Sequence, residues 1–161
     1  MTEGTTGVRI AEFLVGSEPQ ILTIFGLGSC VGLAFYDPAV RLGGLAHVML
    51  PSSRLSSKMT MPGKFADTAV PAMLDEMVRR GASRDRLVAK LVGGANMFAF
   101  LPQSTVSIGL RNAAALREKL NEVGIPILSE RIGGEQGRTI LFDLADGRIE
   151  IRRLNHPSEW I

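Results

Sequence analysis

The stretch "VGLAFYDPAVRLGGLAHVML", Val31 to Leu50, decides how this chain is read. Val31 to Tyr36 and Gly43 to Leu50 are apolar and β-branched runs, and they read as two strands. Between them Asp37-Pro38-Ala39-Val40 puts proline at the favoured second place of a turn, so the strands are expected to be antiparallel. If residue 37 faces residue 40, the same register sets residue 30 opposite residue 47. Those positions hold Cys30, the only cysteine, and His47, an imidazole inside an otherwise apolar strand. Antiparallel partners point to one face with Cβ atoms about 4.5–5.5 Å apart, and a wider loop leaves them diagonal neighbours on that face. Only a one-residue slip separates them.

Immediately upstream, "FGLGSC" at Phe25 to Cys30 delivers the sulfur behind two glycines and a serine. Glycine lets backbone approach a ligand closely, and such a turn can aim N–H groups at one point, which is what an oxyanion hole requires. A cysteine beside a histidine is the usual arrangement for activating a thiol, because imidazolium stabilises thiolate. A third group should orient the imidazole, and Thr23 and Ser29 are the nearest hydroxyls. The spacing leaves a second reading open: a buried histidine bonded to backbone, with a cysteine packed nearby.

Working outward, Val8 to Val15 and Ile21 to Phe25 read as strands, so the N-terminal third is expected to be a β meander. Pro51 to Lys64 has no consistent period and reads as an exposed loop that would serve as a lid. From Asp67, apolar residues recur at helical spacing up to Gly81, with Pro71 in or next to the first turn. Leu87 to Val92 reads as a strand ending in Gly93-Gly94, and Asn112 to Val123 as a second amphipathic helix. Ile127 to Ile132, Thr139 to Leu144 and Arg148 to Leu154 complete about eight strands, the last two joined by Ala145-Asp146-Gly147. His156, before Pro157, reads as an exposed tail residue. Strands with two main helices predict an α/β or α+β layered sandwich with mixed, largely antiparallel sheets.

Composition sets the outer bounds. The 161 residues suit one domain, and 45% hydrophobic with 21% charged residues is ordinary for a globular chain. No apolar run approaches the roughly 18 residues that span a bilayer, and Met1 to Arg9 lacks the order of a signal peptide, so a cytoplasmic protein is expected. One cysteine makes no intrachain disulfide, and with only His47 and His156 beside it neither a metal nor another cofactor is expected. The net charge of +2 comes from arginines scattered among acids, and one Tyr and one Trp make no stacking platform, so nucleic acid is not an expected partner.

Taken together, "GLGSCVGLAFYDP" and "GGLAHVMLP" resemble the CheD family of chemoreceptor glutamine deamidases. "KFADTAV" at Lys64 to Val70, "KLVGGANMF" at Lys90 to Phe98, "IGLRN" at Ile108 to Asn112 and Gly133-Gly134 resemble that family too. The resemblance spans Ile21 to Arg153. It implies a fold like the deamidase domain of the cytotoxic necrotizing factor toxins, with Cys30 as nucleophile and His47 as base. It implies a substrate in the cytoplasmic helical bundle of chemoreceptors, and a CheC-type phosphatase as partner. In the mechanism read here, the N–H groups of Ser29 and Cys30 hold the oxyanion, and Gly28, Gly93, Gly94 and Asn96 are expected against substrate. The family's third catalytic residue is a threonine six places before the cysteine, where this chain has Ile24; Thr23 is one place further back, and a bulge at Phe25 or Gly26 would restore its aim. Two rival readings stay in view: a non-catalytic module that binds the phosphatase, and a thiol hydrolase of unrelated amides.

Overall fold

The structure, a computed structural model, describes residues 4–58, 61–101 and 107–161. Its centre is the strand pair that the opening stretch predicts. β4 (Val31–Asp37) runs antiparallel to β5 (Leu42–Val48), and every residue of both is buried. Continuous burial has a simple cause: the sheet is covered on both faces. Val31, Leu33 and Phe35 pack with α1 (Ala66–Arg79) and α2 (Ile108–Val123), through Val70, Met73, Leu116 and Leu120 among others. The alternate residues Ala34 and Tyr36 pack against a second sheet through Leu22, Ile24, Ile140 and Phe142.

The protein therefore has three layers, helices on one sheet and that sheet on another. The sheet under the helices is ordered β2 (Phe13–Ser17), β5, β4, β6 (Val88–Gly93), β7 (Ile127–Ile132). The other is ordered β1 (Thr5–Gly7), β3 (Ile21–Leu27), β8 (Arg138–Asp143), β9 (Ile149–Arg152), β10 (Glu159–Trp160). Both are mixed: β1 with β3 and β6 with β7 are parallel pairs, and the remaining pairs are antiparallel. The Gly43-Gly44 pair lets the layers close on β5. A Cβ on Gly43 would lie 2.4 Å from Leu144 in the second sheet, and one on Gly44 would lie 2.8 Å from the Met73 sulfur of α1.

Several expectations change. The N-terminal third is not a meander, because β3 and β4 follow one another in sequence yet lie in different sheets. The single strand expected over Val8 to Val15 is likewise absent: residues 8–12, with Ala11 at φ 68°, link β1 in one sheet to β2 in the other, and only Phe13 to Val15 are strand. α2 begins at Ile108 rather than Asn112, since Ser107 caps it by accepting a hydrogen bond from the Leu110 N–H. α1 begins at Ala66, with Pro71 just past its first turn. The C-terminal segment supplies a tenth strand, although His156 itself is exposed.

The β4–β5 register is 32 with 47 rather than 30 with 47. The turn holds four residues, 38–41, between Asp37 and Leu42. Asp37 shapes it by accepting from the Ala39 N–H, the Ser83 N–H and the Arg86 guanidinium, the last through two bonds of 2.9 Å. Among the described residues, no helix is long and apolar enough to cross a membrane.

Candidate active site

A two-residue change of register keeps side chains on the same face, and this geometry governs the site. His47 shares a face of β5 with Leu45, the face that meets the second sheet. Cys30, half-buried, packs against the same inter-sheet cluster from the loop between β3 and β4. The two groups thus stand on one face, diagonal rather than directly opposed. They sit at the end of the sandwich where the chain passes between sheets three times, at residues 8–12, 28–30 and 133–137.

The loop that carries Cys30 is held through its carbonyls. Gly28 accepts from the Ala95 N–H and Cys30 from the Gly94 N–H, each at 2.9 Å. The Ser29 carbonyl accepts from Asn112 Nδ2 at 3.1 Å. Among the described residues, the N–H groups of Ser29 and Cys30 have no acceptor. A loop with its carbonyls tied off and its amides free is suited to holding a developing oxyanion.

Asn112 is the residue that sequence reasoning missed. It is fully buried, and its Nδ2 bridges the Ser29 carbonyl and the Met49 carbonyl, at 3.1 and 2.9 Å. One amide therefore joins the loop of Cys30 to the end of the strand that carries His47. A signal was present: Asn112, Leu116 and Leu120 are spaced four apart, so a polar amide sits on the buried stripe of α2.

Gly93 and Gly94 have a structural part in the loop of Cys30. Both are buried, with φ of 121° and 65°. A Cβ on Gly93 would lie 2.4 Å from the Cys30 carbonyl oxygen, and one on Gly94 2.8 Å from that of Gly109. They back the loop from behind, where only glycine fits. Gly28 and Asn96 are half-exposed; Gly28 faces Met97, and the Asn96 N–H donates to the Gly134 carbonyl at 2.8 Å. Beyond them Met97, Phe98, Phe100 and Leu101 form an exposed apolar strip, with Phe98 60% and Phe100 79% accessible.

His47 is fixed by its backbone, which donates to the Glu12 carbonyl at 2.9 Å and accepts from the Ala11 N–H at 3.0 Å. Burial holds the imidazole below the usual histidine range, while a hydrogen bond with the Val8 backbone pulls weakly the other way. Its Nδ1 is buried without a partner among the described residues. Burial likewise pushes the Cys30 thiol up. Burial thus favours the neutral form of each group, whereas an imidazolium beside the sulfur would favour thiolate.

The bulge anticipated near Phe25 is present, as a register shift between Ile24 and Leu27 against β8. It does not turn Thr23 toward His47. Thr23 lies between Leu22 and Ile24, which face the inter-sheet cluster, and its hydroxyl donates to the Ile140 carbonyl at 2.7 Å. Ile24 is fully buried, and its Cδ1 lies 3.5 Å from where a Cβ on Gly32, the partner of His47, would stand. The surroundings of the ring are thus apolar, which accounts for its desolvation. In the loop before α1, Ser53 bonds the Asp67 carboxylate through its N–H and its hydroxyl at 2.9 and 2.8 Å; residues 59–60 of the expected lid lie outside the described residues.

The "Probable chemoreceptor glutamine deamidase CheD" of Desulforamulus reducens is 48% identical over 155 residues, covering 96% of this chain and 93% of its own. The protein of the same name from Clostridium botulinum is also 48% identical, covering 96% of each chain. A solved structure, Bacillus licheniformis hypothetical protein YfiH, overlaps 73% of this chain and 49% of its own, with a TM-score of 0.49 at 20% identity. The family profile described as CheD chemotactic sensory transduction matches residues 49–153, and with relatives this similar over nearly the whole length, the chain belongs to the CheD family.

Proposed function

We propose that the whole chain is one catalytic domain, a chemoreceptor glutamine deamidase that works through Cys30 and His47. The observation that carries the mechanism is their placement: a thiol and an imidazole on one inter-sheet face, beside a loop with two unpartnered amides. The unpartnered Nδ1 supports it, since a buried polar atom without a partner costs about 1–3 kcal/mol and is tolerated where it is used.

As the sulfur attacks the carboxamide carbon of a glutamine, neutral His47 takes the thiol proton. The C–S bond forms as the carbonyl π electrons move to oxygen, and the N–H groups of Ser29 and Cys30 hold that charge. Collapse expels ammonia, protonated by His47, and leaves a thioester. Water, deprotonated by the same ring, releases glutamate and restores the thiol. The Val8 backbone orients the imidazole in place of a threonine hydroxyl. A glutamate methyl ester fits the same steps, with methanol as leaving group.

The substrate is the cytoplasmic helical bundle of chemoreceptors, which places the protein in the cytoplasm. An amphipathic helix would lie along the exposed strip from Met97 to Leu101, which is open and apolar beside Gly28. The same strip favours a second role, as the surface that binds a CheC-type phosphatase. Incubating a receptor cytoplasmic fragment with the protein and with Cys30→Ala tests the reading by intact mass. A gain of about one mass unit per glutamine with the parent alone supports the thiol mechanism. Full activity in Cys30→Ala refutes it, and phosphatase binding retained by an inactive parent favours the second role.

A further inference from the structure

A pocket of about 430 Å³ is lined in part by the Gly133–Gly134 turn and by neither Cys30 nor His47. Four guanidinium groups line it, those of Arg117, Arg131, Arg138 and Arg153, against two carboxylates, Glu130 and Glu159. Both carboxylates are already engaged. Glu130 is held in a two-pronged pair by Arg117, at 3.1 and 2.6 Å. Glu159 pairs with Arg131 and stands 3.7 Å from Arg153.

Arg138 is different. It is only 7% accessible, and among the described residues it has no ion pair. Its Nη1 donates to the Arg131 carbonyl at 3.1 Å, and its Nη2 to the carbonyls of Gly133 and Gln136. Its Nε is buried with no partner among the described residues. Carbonyl dipoles do not neutralise a buried cation, and leaving one uncompensated is costly. Burial and the Arg153 charge both pull Arg138 below the usual arginine range, and the Glu159 carboxylate offsets this only in part.

We propose that this pocket binds an oxyanion, a carboxylate or a phosphate, with Arg138 and Arg153 as its principal cations. The planar fork of arginine suits both groups, which accept paired hydrogen bonds. The pocket contains neither the thiol nor the imidazole and stands apart from the deamidase chemistry. It is nonetheless tied to the catalytic loop: Arg138 pairs with Leu27, three residues before Cys30, and Gly134 accepts from the Asn96 N–H. An acidic side chain of a docked protein and a free phosphate are the two sources of such a group.

Calorimetric titration of the full chain with inorganic phosphate, and separately with a blocked tetraglutamate peptide, tests the proposal at fixed ionic strength. Trp160, the only tryptophan and the neighbour of Glu159, serves as a fluorescent reporter. Saturable binding of at least one probe is expected, weakened at least about tenfold by Arg153→Glu and relieved by added salt. Arg79→Glu on α1 is expected to leave it within about twofold. Arg138→Lys, which keeps the charge and loses the fork, should weaken binding as well; Arg153→Glu keeps the test valid should that variant not fold. Phosphate alone binding identifies a free anion, whereas peptide competing with phosphate identifies an acidic side chain. Absence of saturable binding by both probes at millimolar concentration overturns the proposal, as does unchanged affinity in Arg153→Glu.

Discussion

Two adjoining segments of this protein are built in opposite ways. The loop Gly28–Cys30 has each carbonyl tied to a neighbour, two of them to the Gly94 and Ala95 amides behind it and one to the buried side chain of Asn112. The strip from Met97 to Leu101, a few residues beyond those amides, turns four large apolar side chains to solvent. In the proposed mechanism the first segment fixes the reacting atoms, and rigidity there lowers the cost of reaching the transition state. The second offers area for a partner and needs no fixed geometry until one docks. On the proposed reading chemistry and recognition thus fall to adjoining segments, so substitutions in each should change different kinetic constants.

The largest expected effect is at the sulfur. Cys30→Ala should lower kcat by at least about 10⁴-fold while binding of a receptor fragment persists, since the nucleophile has no substitute. His47→Gln should cost on the order of 10³-fold in kcat, within the range for general acid–base groups. Single-turnover kinetics check both, and a loss of less than tenfold in His47→Gln would remove the ring from the mechanism.

Asn112→Ala sharpens the contrast on its rigid side. It strips the Ser29 and Met49 carbonyls of their donor, so a stability loss of about 1–3 kcal/mol is expected by denaturant titration. As a positioning residue it should also lower kcat by roughly 10- to 100-fold with KM nearly unchanged. A purely structural residue would lower stability and leave kcat per folded molecule intact. On the open side, Phe98→Ser with Phe100→Ser should raise KM several-fold, leaving kcat and stability close to the parent, because both rings are already in water.

The smallest effect is on pH dependence. With His47 held below the usual histidine range, neutral imidazole persists into mildly acidic solution, so kcat should fall only below pH 6.5. Stability changes in the same direction there. The unfolded chain takes up the proton first, so the folded state weakens as pH drops from 6.5 through the depressed value. On the alkaline side the raised thiol reverses the sign, and stability declines as pH rises through the ordinary thiol range. Urea midpoints across pH measure both slopes, and His47→Gln should flatten the acid one.

Much of this was legible in sequence because it depends on period and local chemistry. Alternating and β-branched runs marked the strands, four-residue spacing marked the helices, and "GSC" with "AHV" set a thiol and an imidazole on one face whatever the loop length, since strand parity survives a two-residue shift. The register itself was not legible, because it rests on Asp37 meeting Arg86, some 50 residues away. Nor was the change of sheet at residues 28–30 and 8–12, for a strand's pattern does not name its neighbour.

The sequence by itself determined the layered class, the β4–β5 pair and the two candidate catalytic side chains. Tertiary structure decided what surrounds them: burial that favours the neutral form of both, Ile24 packed near Gly32, the partner of His47, Thr23 engaged with Ile140, and Asn112 joining the two halves of the site. The reason is physical. Side-chain direction follows from local periodicity, whereas desolvation and hydrogen-bond partners depend on which distant segments pack together.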